Sequence, residues 1–300
     1  MRKLMISYDY YRVFYYVCKY KNFTKAANVL LTSQSSISHT INNLEHQLGC
    51  RLFIRNNRGI ELTAEGETLY TYVAIGCEQF MRGESELINS ISLESGNIYL
   101  GATETALHCF LFDALDDFHQ KYPKVRLNIT NYSAIEAMSA LKNGTVDLIV
   151  TATPFDAAPH MKTIVLKEIH DILTGGSMYK DLQNQSITLK ELSTYPLICY
   201  STGTKSRLFI EKIFTDNGLM LSPMIESAAS DMIIPMIKHN LGLGFIPEEM
   251  VREAMDAGEI VKINTIETIP SRKICLVYDT QHPRSTASNE LIHFLSEMRA

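Results

Sequence analysis

The sequence predicts a multidomain α+β chain: a small helical head closed by a β-hairpin, one long helix, and a large α/β body. Three observations carry that prediction. Residues 22–66 hold two short helical periods, a tight link and an alternating basic segment. From Ala64 to about Ser92 no proline interrupts a helical pattern. Beyond Glu94-Ser95-Gly96-Asn97, strand-like and helix-like runs alternate to the C-terminus, as α/β lobes with mainly parallel sheets require. Charge divides along the same line. Residues 1–66 carry nine Lys/Arg against four acids, or +5, which leaves 19 against 29, or −10, for the rest. The net charge of −5 therefore conceals a basic module on an acidic body, a distribution suited to a nucleic-acid-binding head.

Taken in order, Tyr8–Tyr20 reads as the first helix, with Tyr10, Phe14, Val17 and Cys18 on the face that covers the head's core. The next helix offers Ala26, Ala27, Leu30 and Leu31 as a small apolar face, with Thr24 at the N-cap position. After Thr32-Ser33 a third helix starts, and Ile37, Ile41, Leu44 and Leu48 recur at spacings of four, three and four. Its opposite face is short, uncharged and rich in donors and acceptors, which suits base edges in a major groove. The candidates for base or adjacent phosphate contact are Ser33, Gln34, Ser35, Ser36, Ser38, His39 and Asn42. Then Arg51-Leu52-Phe53-Ile54-Arg55 and Ile60-Glu61-Leu62-Thr63 flank Asn56-Asn57-Arg58-Gly59, the pattern of a hairpin. Arg55 and Arg58 on that hairpin would meet phosphate. Helix, turn, helix and basic wing make a winged helix-turn-helix, whose expected partner is double-stranded promoter DNA.

At these residues the chain resembles the LysR-type transcriptional regulators. The resemblance rests on Phe14, Phe23-Thr24-x-Ala26-Ala27, Leu30, Ser33-Gln34-Ser35, Ile37-Ser38, Ile41, Leu44-Glu45 and Leu48-Gly49. It continues through Leu52-Phe53, Arg55, Leu62-Thr63 and Gly66. Lys21-Asn22 stand where the family usually has Gly-Ser, and Ser35 where Pro is common. The resemblance implies a transcriptional regulator whose activity is modulated by a small-molecule effector. It also implies an effector domain of two lobes resembling periplasmic binding proteins. The domains would be 1–63 (winged helix-turn-helix), 64–92 (linker and dimerisation helix) and 93–300. Lobe I would span about 93–164 and 268–300 and lobe II about 165–267, with crossings near 163–166 and 265–269.

The long helix carries an apolar stripe through Leu69, Val73, Gly76, Phe80, Leu87 and Ile91, longer than a small head can bury alone. The expected cover is a second copy of the chain, as in the linker-helix dimer of the resembled family. A tetramer is the further expectation, and RNA polymerase a candidate partner. In the body, strands are expected at 97–102, 125–130, 146–150, 163–173, 196–200, 223–228, 243–246, 259–264 and 272–279. Helices are expected at 105–121, 133–142, 205–217, 231–240, 248–256 and 286–298.

Ligands of open α/β sheets bind beyond the carboxyl ends of strands, where helix N-termini present free N–H groups. Ala102-Thr103-Glu104-Thr105 and Ser201-Thr202-Gly203-Thr204-Lys205-Ser206-Arg207 both fit, facing each other across the expected cleft, with Thr151 and Thr153 on its floor. The effector candidates are Thr103, Glu104, Thr105, Thr151, Ser201, Thr202, Thr204 and Phe245, and the resemblance implies inducer contacts at such positions. Glu104 complicates the choice of ligand. Pointing into the cleft, it disfavours a carboxylate or selects an amine; pointing to solvent, it leaves Lys205, Arg207 and two helix N-termini to favour an anion.

Gly242-Leu243-Gly244-Phe245 lacks the third glycine of a dinucleotide loop and runs from helix to strand, so it reads as a turn. The cysteines (18, 50, 77, 109, 199, 275) form no C-x-x-C pair and are expected as buried thiols, with Cys109 the one candidate for redox chemistry. No nucleophile–base pair, metal-ligand spacing or phosphate loop points to an enzyme, a metal or a cofactor other than the unidentified effector. No run approaches the ~20 apolar residues of a membrane span. The N-terminal MRKLMISYDYYR lacks an apolar signal core, so the cytoplasm is the expected location.

Overall fold

The computed structural model describes residues 6–56, 59–89, 96–227 and 230–298. It divides into two compact units, Met1–Ile88 and Asn89–Ala300.

The first unit is built on α1 (Tyr8–Tyr20), α2 (Phe23–Val29) and α3 (Gln34–Leu48). A hairpin of β1 (Phe53–Asn56) and β2 (Gly59–Leu62) follows, and then α4 (Ala64–Asn89). Phe14, Val17, Ala26, Ala27, Ile37, Ile41, Leu44 and Leu52 close into one core, to which α4 adds Val73 and Cys77. Each large apolar side chain buried there contributes about 1.5–3 kcal/mol.

Two local expectations fail. The N-cap of α2 is Asn22, whose Oδ1 accepts from the Lys25 N–H at 2.9 Å, and Thr24 sits inside the helix. Both residues are good caps, and a shift of two residues separates them. Leu31 is 93% exposed because α2 ends before it and the chain turns through a left-handed residue there (φ +52°). The expected stripe on α4 is also divided. Val73 and Cys77 are buried in the head itself, whereas Tyr72 and Phe80 stay exposed. Leu87 lies where only the backbone is described, and Ile91 lies outside the described residues.

The second unit contains two lobes. Lobe I holds β3 (Asn97–Ala102), β4 (Arg126–Asn131), β5 (Leu148–Ala152), β6 (Met161–Ile169) and β13 (Arg272–Asp279), in the sheet order β4-β3-β5-β13-β6. Against this sheet pack α5 (Glu104–Ala106), a π turn (Leu107–Leu111) and α6 (Phe112–Lys121), which run on as one rod, with α7 (Ala134–Lys142) and α12 (Thr286–Glu297). Lobe II holds β7 (Asp171–Gly176), β8 (Ser186–Ile187), β9 (Ile198–Tyr200), β10 (Ile225–Ser227), β11 (Gly244–Pro247) and β12 (Ile260–Thr265). Its helices are α8 (Leu189–Leu192), α9 (Lys205–Asp216), α10 (Ser230–Lys238) and α11 (Glu248–Asp256). A bridge between Leu197 and Leu243 joins the β9–β10 pair to the order β11-β7-β12-β8.

Both sheets are mixed, which corrects the expectation of mainly parallel ones: β13 runs antiparallel to β5 and β6, and β7 antiparallel to β11 and β12. The single strand expected at 163–173 is two strands. Because β6 pairs with β13 as far as Ile169, the chain crosses to lobe II at His170, later than 163–166. The return lies between Thr265 and Arg272. Elements between 177 and 192 escaped the sequence pattern because they are short: a 3₁₀ turn, a two-residue strand and a four-residue helix.

Candidate functional site

The first candidate surface is the outer face of α3. Ser33 caps the helix, its hydroxyl accepting from the Ser36 N–H at 3.1 Å and lying 2.8 Å from the Ser35 hydroxyl. Gln34 donates to Ser38 Oγ at 3.3 Å, and His39 Nδ1 lies 3.3 Å from Asn43 Nδ2. Gln34, Ser35, Ser36, His39 and Asn42 are exposed and Ser38 half-buried, while Ile37, Ile41 and Leu44 face the core. The helix thus presents a continuous uncharged donor and acceptor surface at its N-terminal half. The hairpin is held to this helix by Glu45. Its buried carboxylate accepts from the Leu52 and Phe53 N–H groups at 2.8 and 3.3 Å and from Arg51 at 2.6 Å. Arg55 lies on β1, facing Ile60 across the ladder, with only its backbone described; Arg58 lies outside the described residues.

The second is a cavity of about 420 Å³ between the two lobes, in the lower part of the ~300–1,000 Å³ range of ligand pockets. Thr103, Glu104, Thr105, Thr151 and Thr204 line it, as does Thr153. The residues stand where they do because the parallel strands β3, β4 and β5 of lobe I, and β9 of lobe II, end at the cavity. Thr103 N–H donates to Val150 O at 3.0 Å, yet its hydroxyl caps nothing, and Oγ1 is buried without a hydrogen-bond partner. Thr151 is fully buried within β5, not beyond it as expected, since that strand runs two residues further.

Four expected residues are elsewhere. Ser201 and Thr202 do not line the cavity. The Ser201 N–H donates to Ser227 O at 2.8 Å, and Thr202 turns towards Glu226 at 3.4 Å, so β10 holds this loop back. Phe245 is packed in the core of lobe II, because every residue of β11 is buried. Arg207, expected to favour an anion, is 5% exposed and points away. It donates to Glu211 Oε1 at 2.7 Å, Glu226 Oε1 at 2.9 Å and Tyr200 O at 3.1 Å. Lys205 does line the cavity, and its Nζ lies 2.6 Å from Asp156 Oδ2 in lobe I.

Sequence reasoning missed the whole wall from Asn131 to Glu136. The signal was present: Asn131-Tyr132-Ser133 ends a parallel strand and opens α7, where Ser133 and Glu136 form a capping box. Those hydrogen bonds from Ser133 hold the Glu136 carboxyl below the usual carboxylate range. Beneath the cavity, Arg272 and Asp171 form a buried bidentate pair, both contacts at 2.6 Å. It ties the first residue of β13 to the first residue of β7. Lys167 of lobe I pairs with Glu249 of lobe II at 3.1 Å.

Cys109, on the π turn, is 5% exposed. Burial, with the Glu249 carboxylate adding to it, pushes its thiol up to about 12. Cys199 is likewise pushed up by burial to about 11. Both shifts work against the thiolate that redox sensing needs. Among the described residues no group of three His, Cys, Asp or Glu side chains could hold a metal ion, and no helix is long and apolar enough to cross a membrane.

Comparison with known proteins matches both units. Residues 8–67 match the bacterial regulatory helix-turn-helix protein, lysR family, and residues 92–300 match the LysR substrate binding domain. The chain is 29% identical over 255 residues to the HTH-type transcriptional regulator BbuR of Bordetella bronchiseptica, covering 84% of this chain and 78% of that one. It is 25% identical over 248 residues to the HTH-type transcriptional regulator SsuR of Burkholderia cenocepacia, covering 81% and 79%. Among solved structures, CbnR, a LysR family transcriptional regulator, has the same fold. The TM-score is 0.75 at 15% identity, over 98% of this chain and 100% of that one. Full-length CbnR complexed with its target DNA matches equally, with a TM-score of 0.75 at 16% identity over 98% and 99%.

Proposed function

The chain belongs to the LysR family of DNA-binding transcriptional regulators with an effector-binding domain, and from that premise we propose which of its residues do the work. The outer face of α3, from Gln34 to Asn42, enters the major groove of promoter DNA. Ser35, Ser38, His39 and Asn42 lie nearest the base edges, and Arg55 and Arg58 on the wing hold phosphates. A small molecule occupies the cavity between the lobes against Thr103, Glu104, Thr105, Thr151 and Thr204. Its preference for one lobe geometry sets the regulatory state, since a ligand shifts an equilibrium only through differential affinity. The protein works without a catalytic step and without a cofactor other than that effector. It acts in the cytoplasm as a dimer through α4, where Tyr72 and Phe80 leave aromatic surface for a second copy, and as a tetramer on longer sites. RNA polymerase is a further partner at activated promoters.

The observation that carries this reading is the buried Thr103 hydroxyl on the cavity wall, which has no hydrogen-bond partner among the described residues. Such a group costs free energy until a ligand satisfies it. Genomic DNA capture with the purified protein tests the DNA half: a few interrupted palindromes are expected, and uniform, salt-sensitive binding would defeat it. Arg55→Ala should weaken binding to all sequences alike and flatten the salt dependence by about one counterion. Thr103→Val should leave DNA affinity intact and remove the effector response, and a normal response would defeat the cleft assignment.

A further inference from the structure

We propose that the effector carries an ammonium group, received by Glu104; this rests on the reading that the interlobe cavity is the effector site. The balance of charge around the cavity argues for it. Carboxylates reach its wall from three elements: Glu104 at the start of α5, Glu136 in α7 and Asp231 in α10. Lys205 is the one basic side chain on the wall among the described residues, and it is held by Asp156 at 2.6 Å. The nearby guanidinium groups are committed elsewhere. Arg207 is drawn off by Glu211 and Glu226, and Arg272 lies below, bidentate on Asp171.

An anionic ligand would therefore enter a net-negative pocket without a cation to receive it. The helix N-termini do not reverse this. Those of α5, α7 and α10 carry these same three acids, Glu104, Glu136 and Asp231, in the first turn, and a macrodipole of roughly half a charge offsets only part of each carboxylate. Only α9 lacks one.

Thr103 and Glu104 are consecutive on the cavity wall. Glu104 Oε1 is shut off from solvent, and Thr103 Oγ1 is buried with no partner among the described residues. An ammonium offers three donors and so can bond the Thr103 hydroxyl while forming a charge-assisted bond to the Glu104 carboxylate. A carboxylate ligand could accept from the Thr103 hydroxyl but would be repelled by Glu104. The inference thus joins a cavity, a charge balance and an unsatisfied hydroxyl.

The test measures thermal shift and calorimetric binding on the full chain. The probes are a five-carbon series differing only at its ends (cadaverine, 5-aminovalerate and glutarate), together with the twenty amino acids, each up to about 10 mM. At least one ammonium-bearing probe is expected to raise Tm, and glutarate to leave it unchanged. Glu104→Gln should weaken the responding probe about 30-fold or more, while Asp113→Asn, an exposed acid away from the cavity, should not. Thr103→Val supplies a second cavity variant should Glu104→Gln melt early.

No shift from any ammonium-bearing probe overturns the inference. A shift from glutarate that survives or grows in Glu104→Gln overturns it while leaving the cavity as the effector site. An ammonium response retained in both Glu104→Gln and Thr103→Val places the ligand elsewhere, and the cleft reading then fails with it.

Discussion

Removing the Glu45 carboxylate should unpin the wing from the recognition helix. The residue is 6% exposed, and its carboxylate receives the Leu52 N–H at 2.8 Å, the Phe53 N–H at 3.3 Å and Arg51 Nη1 at 2.6 Å. Glu45→Ala leaves the buried Leu52 N–H without its acceptor, a loss of about 1–3 kcal/mol. The weaker Phe53 bond adds a fraction of that, so the total is about 1.5–4 kcal/mol. Arg51 contributes little to this sum because its side chain is 76% exposed and an exposed ion pair contributes about 0–1 kcal/mol. Urea titration followed by circular dichroism, with the first unit's transition resolved, should therefore rank Glu45→Ala far below Arg51→Ala. Glu45→Gln should fall between them, since it keeps one acceptor oxygen. DNA affinity should drop with Glu45→Ala more than with Arg51→Ala, because the wing loses its register against α3. Equal destabilisation by the Arg51 and Glu45 substitutions would show that the ion pair, not the backbone acceptors, holds the wing.

The remaining expectations concern the second unit. Asp171→Ala strands Arg272 in the interior and should cost about 3–5 kcal/mol, whereas Asp156→Ala removes an exposed partner and should cost under about 1 kcal/mol; urea midpoints in the reverse order would refute the burial argument. Iodoacetamide at pH 8 should spare Cys109, whose thiolate fraction there is on the order of 10⁻⁴ given its raised pKa, and label the half-exposed Cys50 first; peptide mass mapping of the native chain decides it. Ser133→Ala should raise the Glu136 pKa towards the ordinary carboxylate value, as read by NMR titration. A depressed folded pKa stabilises above the unfolded value and is lost as pH falls through the folded one. Part of the cost of Ser133→Ala, about 1 kcal/mol in total, should therefore disappear under acid conditions, and a cost independent of pH would refute the link.

Legibility in the sequence followed the physics of each element. The spacing of Ile37, Ile41 and Leu44 announces both the helix and its buried face, because 3.6-residue periodicity leaves few alternatives. Thr103, Thr105 and Thr204 were legible because strand ends and helix caps lie at fixed places in α/β sheets. Phe245 was not, since a strand buried on both faces has no alternation to tell core from cleft. Arg207 misled for another reason: of its two carboxylate partners Glu211, four residues on in the same helix, was readable, but Glu226 arrives from 19 residues away and no local pattern encodes that meeting. The Asn131–Glu136 wall obeyed the same strand-end rule as the loops that were found, and needed only that the rule be applied to every strand.

The crossing at His170 has a consequence for how such a molecule can be altered. Ile169 and Arg272 are register partners in the antiparallel β6–β13 ladder, so the chain leaves lobe I and re-enters it at adjacent positions. Lobe II is thus a cassette spliced into one hairpin of lobe I, with its two ends about 5 Å apart, close enough for a two-residue turn to rejoin them. Exchanging that cassette would replace Tyr200, Thr204, Lys205, Ser206 and Asp231 in one event while Thr103, Glu104 and Thr151 stayed behind. The lining of the cavity can therefore be rewritten by halves, each half carrying its own folded core.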